Sequence, residues 1–243
     1  MIQGGSIPAR QDPLEAGSPL RTPRAAAGAG IAFALLTATS LILLRLSTPS
    51  DPASAGQWLS DSGRRTAVSV ALNLVPFAGI AFLWFIGVVR DRIGTREDRF
   101  FATVFLGSGL LFVGMFFSAA ALAGGLISAA ASHPSALPGS GTLALGRGAT
   151  SILLNVYSMR MAAVFTITTV TIARRTAFIP RWLWAAGLVT ALVLLVAVSF
   201  SPWVELLFPA WILVLSIDIL AGGGGPAGTL AGADSGSAGT SAG

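Results

Sequence analysis

Residues 66–89 read TAVSVALNLVPFAGIAFLWFIGVV, a run of 24 residues without a charged side chain. About 20 consecutive apolar residues suffice for a helix to cross the hydrocarbon core of a bilayer. The run is therefore predicted to span a membrane, between Arg65 on one side and Arg90 on the other. This stretch decides the fold class, because a spanning segment of this kind must satisfy its own backbone hydrogen bonds as a helix.

Five further apolar runs extend the prediction from one span to six. They cover residues 25–44, 100–123, 149–173, 182–200 and 203–221. The sequence thus predicts an all-α fold, a polytopic transmembrane bundle of six helices over residues 25–221. The third run continues to Ala131, and we expect Gly124-Gly125 to end or bend its helix.

The composition of the chain agrees with a membrane location and excludes several chemistries. Of the 243 residues, 53% are hydrophobic and 10% are charged, whereas soluble domains have about 25% charged residues. All 15 basic residues are arginine and there is no cysteine, which rules out Schiff-base lysines, disulfides, thiolate nucleophiles and iron–sulfur ligands. With a single histidine, His133, a bis-histidine haem is also excluded. We expect no cofactor, no metal site and no enzymatic activity.

The distribution of arginine predicts which side of the membrane each end occupies, since cytoplasmic loops are enriched in positive charge. With the N-terminus inside, the cytoplasmic segments carry Arg10, Arg21, Arg24, Arg90, Arg92, Arg96, Arg99, Arg174, Arg175 and Arg181. The outer segments carry Arg45, Arg64, Arg65 and Arg147. This bias favours cytoplasmic termini. The lysine-free composition suggests a bacterial cytoplasmic (inner) membrane.

Low-complexity sequence marks both ends of the chain. Residues 1–24 are rich in Pro, Gly and charge, and residues 222–243 consist mainly of Gly, Ala, Ser and Thr. Such segments cannot bury a core, so both are expected to be disordered and cytoplasmic. We attribute the net charge of +5 to cytoplasmic loops rather than to nucleic-acid binding.

An offset of 82 residues aligns spans two and three with spans four and five. Residues 65–73 fall on residues 147–155, so that Arg65 meets Arg147 and Asn73 meets Asn155. This predicts an internal duplication of two helices in the same orientation. Chance matches among Ala and Leu, with arginines placed at helix ends by sidedness alone, are the alternative.

A charged motif follows span two, in the ten residues GVVRDRIGTR at 87–96. It resembles the cytoplasmic loop motif of the major facilitator superfamily, Gly-x-x-x-Asp-Arg-x-Gly-Arg-Arg, through Gly87, Asp91, Arg92, Gly94 and Arg96. The resemblance implies helices latched at the cytoplasmic face during a transport cycle. The chain departs from it in lacking a basic residue at position 95 and in having six spans instead of twelve.

Two other interpretations of this region are open. A helix stop at Gly94 and arginines anchored in lipid headgroups account for the same loop without homology. The longer run VRDRIGTREDRFF, residues 89–101, resembles small multi-pass membrane proteins of actinobacteria with no assigned activity. That likeness implies no function.

Ionisable residues at membrane depth are the first candidates for a functional site. Arg160 lies near the middle of span four, where a charge costs about 2.5–3.5 kcal/mol on insertion scales. We expect its side chain to face the bundle interior or a water-filled cavity. Its predicted ion-pair partner is Glu205, ahead of Asp218. Glu205 follows Pro202 and suits the first turn of a helix, where negative charge is favoured.

Polar residues in spans two and four complete the candidate site. Asn73 and Asn155 occupy comparable depths, and Pro76 frees a backbone carbonyl one turn after Asn73. With Tyr157 and Arg160 they are expected to line a polar binding vestibule that opens outward. The alternative is that both asparagines only hydrogen-bond between helices and stabilise packing.

Two functions follow from these alternatives. One is a small transport or channel-like component that uses the vestibule. The other is a non-transporting structural or accessory membrane subunit. The lipid bilayer is the expected partner, while a second copy or another membrane protein is left open. In span three, Gly107, Gly109 and Gly114 are expected to allow close helix packing.

Overall fold

A computed structural model of the protein describes residues 22–47, 61–93, 99–132, 141–175, 180–197 and 201–222. The terminal segments predicted to be disordered lie almost wholly outside the described residues. So do His133 and, from the loop motif, Gly94 and Arg96. Asp91 and Arg92 end a described helix, but their side chains are likewise outside the description.

Helices account for all the secondary structure in these ranges. They are α1 (Thr22–Ser47), α2 (Ser62–Ile93), α3 (Arg99–Ser132), α4 (Gly141–Ser151), α5 (Met159–Arg175), α6 (Arg181–Val196) and α7 (Leu207–Gly222). A π-helical segment, Ile152–Ser158, joins α4 to α5, and a 3₁₀ turn, Pro202–Leu206, leads into α7. The all-α class is confirmed for the described chain.

Five helical stretches are long and apolar enough to cross a membrane. They are Ala25–Ser47, Ser62–Arg90, Phe100–Ala129, Gly141–Arg174 and Trp203–Ala221. The last agrees with the predicted sixth run. The predicted fifth span is represented by α6, which has 16 residues and a length of about 24 Å. A sixth crossing therefore stays a prediction.

Neighbouring helices run antiparallel. Between α1 and α2, the Ser40 hydroxyl donates to the Ala71 carbonyl at 2.8 Å, while the rings of Phe33 and Phe82 lie 4.6 Å apart. Residue numbers thus fall along α2 as they rise along α1. The bundle has two ends. The Arg45 end holds the last turn of α1, the start of α2, the end of α3, the start of α4 and the 3₁₀ turn. The Arg174 end lies opposite.

Aromatic rings fill the centre of the bundle. This Phe cluster is formed by Phe33, Phe82, Phe85, Phe105, Phe112, Phe116, Phe165 and Phe208, all buried. Ring centroids are close, for example 5.0 Å between Phe82 and Phe165 and 5.0 Å between Phe112 and Phe208. Tilted and edge-to-face pairs contribute about 0.5–1.5 kcal/mol each beyond area burial. The cluster ties α1, α2, α3, α5 and α7 together.

Two predicted boundaries are wrong. Helix α3 does not end at Gly124-Gly125 but continues to Ser132, because the turns beyond the glycines have packing partners. Ile127 packs onto buried Val68 of α2, and Leu126 lies where a side chain on Gly146 would be. Tertiary packing here outweighs the low helix propensity of glycine. For the same reason the fourth span begins at Gly141 rather than near residue 149.

The glycine prediction for span three holds at one position of three. A Cβ on Gly109 would lie 2.5 Å from Cδ1 of Ile86, so the two helices approach closely there. No atom of a neighbouring element lies within 4 Å of the corresponding point on Gly107 or Gly114. Those two glycines are not required for packing within the described chain.

Candidate functional site, a cavity at the Arg45 end

A cavity of about 560 Å³ lies between α1, α2, α3 and α4, with the π segment and the 3₁₀ turn at its side. Its apolar lining residues are Leu41, Leu44, Val68, Leu72, Val75, Phe116, Ala119, Ala120, Ala123, Leu126, Ile127, Leu143, Leu154 and Trp203. Its polar lining residues are Arg45, Arg147, Thr150, Ser151 and Asn155. Small-molecule sites range from about 300 to 1,000 Å³, so the cavity has the size of a binding site.

Three alanines of α3 leave room for the hollow opposite larger side chains of α1 and α2. Ala119, Ala120 and Ala123 line it from α3. Below them Phe116 is shared between the cavity wall and the Phe cluster. The cavity is therefore separated from the centre of the bundle by packed aromatic rings.

A network around Arg45 forms the polar side of the cavity. Arg45 lies in the last turn of α1 and forms an ion pair with Glu205 of the 3₁₀ turn. Its Nη2 also donates to Oδ1 of Asn155 in the π segment at 3.2 Å. Asn155 in turn donates from Nδ2 to the Ser151 hydroxyl at 2.9 Å. One guanidinium thus connects three separate elements.

Burial and helix dipoles both shape this ion pair. The Glu205 side chain is 1% exposed and that of Arg45 30% exposed. The cation stands at a helix C-terminus and the carboxylate in a first turn, and each charge is favoured there. Arg45 lines the cavity whereas Glu205 does not, so the carboxylate lies behind the guanidinium. Both charged side chains in the described wall are arginines.

The π segment determines how span four faces the cavity. Leu154 and Asn155 lie within it, and Arg147 and Ser151 lie on the two preceding turns of α4. All four line the cavity. A π-helix holds more residues per turn than an α-helix and frequently marks a functional site. Here the π segment extends the row of polar lining residues, Arg147 and Ser151 of α4, as far as Asn155.

Of the four residues predicted to bind a ligand, only Asn155 lines the cavity. Asn73 is exposed and donates to the carbonyl of Ser69 in its own helix at 2.8 Å. Tyr157 is 53% exposed, and Arg160 is also exposed. The vestibule of Asn73, Asn155, Tyr157 and Arg160 is therefore not assembled. The two asparagines aligned by the 82-residue offset also differ in environment, and the duplication stays a prediction.

The orientation predicted for Arg160 is wrong. The inner face of α5 is occupied by buried residues at helical spacing, Met159, Ala162, Ala163 and Thr166, and Arg160 lies off that face. Side chains on a helix lean toward its N-terminus, which for α5 is the direction of the Arg45 end. A long arginine side chain leaning this way can carry its charge toward the interface, so an inward position is not needed.

The predicted ion pairs are also corrected. Glu205 pairs with Arg45 rather than with Arg160. A signal for this pair was present in the sequence, because antiparallel spans place the end of span one and the start of span six at the same depth. Asp218 forms no ion pair with any described side chain. Arg174, which lies at the same end of the bundle as Asp218, is placed over the ring of Trp184, with its guanidinium carbon 4.9 Å from the ring centroid.

Comparison with protein-family models, with curated proteins and with solved structures found no match for this chain. The resemblances of the loop after α2 therefore stay predictions. In the described part of the chain, no group of three or more His, Asp or Glu residues is placed to hold a metal ion. Sequence reasoning missed the site residues Arg45, Arg147, Thr150 and Ser151 and the alanines of α3. The boundary expected near residue 149 had put Arg147 in a loop.

Proposed function

We propose that this protein is a small transport component of a membrane, and that the cavity at the Arg45 end is its ligand-binding site. The observation that carries the proposal is the lining of the cavity. Two arginines, an asparagine, a serine and a threonine lie on one side of a hollow whose other described lining residues are apolar. Binding sites combine a mainly apolar wall with a few convergent polar groups in this way.

The elements around the cavity suggest how a ligand would be passed on. The Phe cluster blocks the way to the Arg174 end, so transport requires Phe112, Phe116 and their neighbours to separate. The π segment is the place where α4 can move relative to α5, because its hydrogen bonding already departs from the α pattern. Release of the Arg45–Asn155 hydrogen bond would accompany that movement.

A structural or accessory subunit is the second candidate. The densely packed centre favours it, since eight buried phenylalanines fill the middle of the bundle and protein interiors are close-packed. In this case the cavity never communicates with the Arg174 end, and the Arg45 network only fixes the positions of α1, the π segment and the 3₁₀ turn.

Single cysteines distinguish the two functions, because the chain has none of its own. Ser151→Cys places a thiol in the cavity. Thr169→Cys places one in a buried position four residues beyond Phe165, toward the Arg174 end. The Thr169 hydroxyl bonds only within its helix, to the Phe165 carbonyl at 2.7 Å, so the substitution is mild. Ser118→Cys, on the exposed face of α3, is the lipid-facing control.

Each variant is treated with a membrane-impermeant maleimide from one face of oriented vesicles and then from the other. Transport predicts that Ser151→Cys reacts from one face and Thr169→Cys from the opposite face. A structural subunit predicts that Thr169→Cys reacts from neither. If Ser151→Cys reacts from neither face, the cavity is not a solvent-connected binding site and the proposed function is wrong.

A further inference from the structure

We infer that the cavity binds an anionic amphiphile, with its acidic headgroup between Arg147 and Ser151 and its alkyl chain against the alanines of α3. This inference rests on the proposed function, because it names the class of ligand for the same cavity. It goes further in assigning the sign of the charge and the position of the chain.

The sign of the charge follows from the described cavity wall. Its two ionisable side chains are Arg45 and Arg147. The carboxylate of Glu205 lies behind Arg45 and is engaged by it. At the ionisable side chains of the described wall a cationic ligand would meet guanidinium groups, whereas an anion gains charge-assisted hydrogen bonds.

The headgroup position follows from hydrogen bonds on α4. Arg147 and Ser151 are four residues apart, so they lie on the same face of the helix. The Ser151 hydroxyl accepts from Asn155, which orients its own proton toward an acceptor on the other side. The neighbouring Thr150 hydroxyl is used within the helix, donating to the Gly146 carbonyl at 2.8 Å. Ser151 is therefore the hydroxyl donor on this face of α4, one turn from the guanidinium-bearing Arg147.

The presence of an alkyl chain in the ligand follows from the apolar part of the cavity wall. Fourteen of the nineteen described lining residues are apolar. A sugar or an amino acid would leave its hydroxyl or ammonium groups without partners against Leu72, Val75 and Ala120, which is costly. An inorganic anion would fill only the polar side. A molecule with one acidic head and one chain satisfies both parts.

Two sources supply this chemistry, a free single-chain acid and an anionic phospholipid that inserts one chain. Both share the acid and the hydrocarbon. Because a chain leaving the bilayer gains little hydrophobic energy on entering an apolar cavity, the headgroup contacts should decide affinity in either case.

Quenching of Trp203 fluorescence tests the inference, since this residue lines the cavity. The full-length protein in phosphatidylcholine vesicles is titrated with dibromostearate. We expect a saturable quenching component that is absent from Trp203→Phe. This variant reports the quenching of the other tryptophans, so the difference between the two proteins is the quenching of Trp203. A brominated alkyltrimethylammonium of equal chain length should give only the linear component due to partitioning into lipid.

Variants locate the two parts of the ligand. Arg147→Gln should weaken saturable binding by about tenfold or more, the loss expected for a charge-assisted hydrogen bond. Arg64→Gln is the matched control, because Arg64 pairs with exposed Asp61 on the surface. Ala120→Phe fills the hollow and should abolish saturable quenching. Ala121→Phe, on the exposed side of α3, should not.

A titration with brominated phosphatidylglycerol distinguishes the two possible ligands, a free single-chain acid and an anionic phospholipid. Saturable quenching by this lipid but not by the free acid assigns a bilayer lipid, and the reverse assigns a free acid. Equal saturable quenching by the cationic amphiphile, or an unchanged Arg147→Gln variant, overturns the inference. If no amphiphile quenches saturably while Ser151→Cys is labelled, the ligand class is wrong and the binding site stands. If Ser151→Cys is also unreactive, both proposals fail.

Discussion

Arg45 shows how much of this bundle depends on one polar side chain. It joins α1 to the 3₁₀ turn through Glu205 and to the π segment through Asn155. The partners are unequally buried, because Glu205 is shielded from solvent and Arg45 is partly open. Removing Arg45 should therefore affect stability differently from removing Glu205.

We predict that Arg45→Met is more destabilising than Glu205→Met. The first change leaves a buried carboxylate without a counter-ion, which costs about 3–5 kcal/mol. After the second change, the partly exposed guanidinium can turn toward solvent or headgroups. The double variant should be more stable than Arg45→Met alone, since no charge is then left behind. Thermal unfolding followed by circular dichroism in detergent measures all three, and a milder Arg45→Met would contradict the burial argument.

Of the four site residues selected from the sequence, the structure places Asn155 in the cavity wall and Asn73, Tyr157 and Arg160 outside it. Depth in the membrane can be read from residue number along a span, and depth selected all four. The face of the helix cannot be read in the same way, because core-facing and lipid-facing residues of a membrane helix are both apolar. Only packing reveals that Asn73 and Arg160 point outward.

Among the helical elements, α1 contains two glycines with opposite roles. A Cβ on Gly30 would lie 2.0 Å from Oγ of Ser216 and 2.8 Å from Cδ2 of Phe85. No atom from another element lies within 4 Å of the corresponding point on Gly28. Gly30 therefore permits α1 to approach α2 and α7, and Gly28 does not contribute to that contact.

We predict that Gly30→Ala lowers the melting temperature and that Gly28→Ala does not. At position 30 the added methyl forces helices apart. At position 28 it meets open space and raises helix propensity, worth up to about 1 kcal/mol. Circular dichroism melts of the two single variants in the same detergent measure the difference. Equal shifts would show that the close contact at Gly30 relaxes without cost.

The presence of the long helices could be predicted from the sequence, but the π segment and the end of α3 could not. The apolar runs predicted all five long spans, because hydropathy over about 20 residues reports the bilayer directly. The π segment leaves no such trace, since an extra residue in a turn does not change the composition of an apolar run. The continuation of α3 past Gly124 was missed because Ile127 finds its packing partner on α2, far away in sequence.

For the molecule as a whole, the arginine bias predicts the Arg174 end in the cytoplasm. Ser62 and Arg90 provide a test on one helix, because both are exposed and lie near opposite ends of α2. Twenty-eight residues separate them, a rise of about 42 Å along the helix. In intact cells, Ser62→Cys should react with an impermeant thiol reagent. Arg90→Cys should react only after permeabilisation. The reverse pattern would invert the sidedness.

The unequal lengths of α3 and α6 have a consequence for the surrounding lipid. With 34 and 16 residues, the two helices measure about 51 Å and about 24 Å, on either side of a hydrocarbon thickness of about 30 Å. If α6 crosses the membrane, as the sequence predicts, it is shorter than this thickness while α3 exceeds it. The bilayer beside α6 would then be thinned, while α3 tilts or projects beyond it, at a cost of fractions of a kcal/mol per ångström. Hydrophobic mismatch should therefore give the protein a preference among membranes of different acyl-chain length.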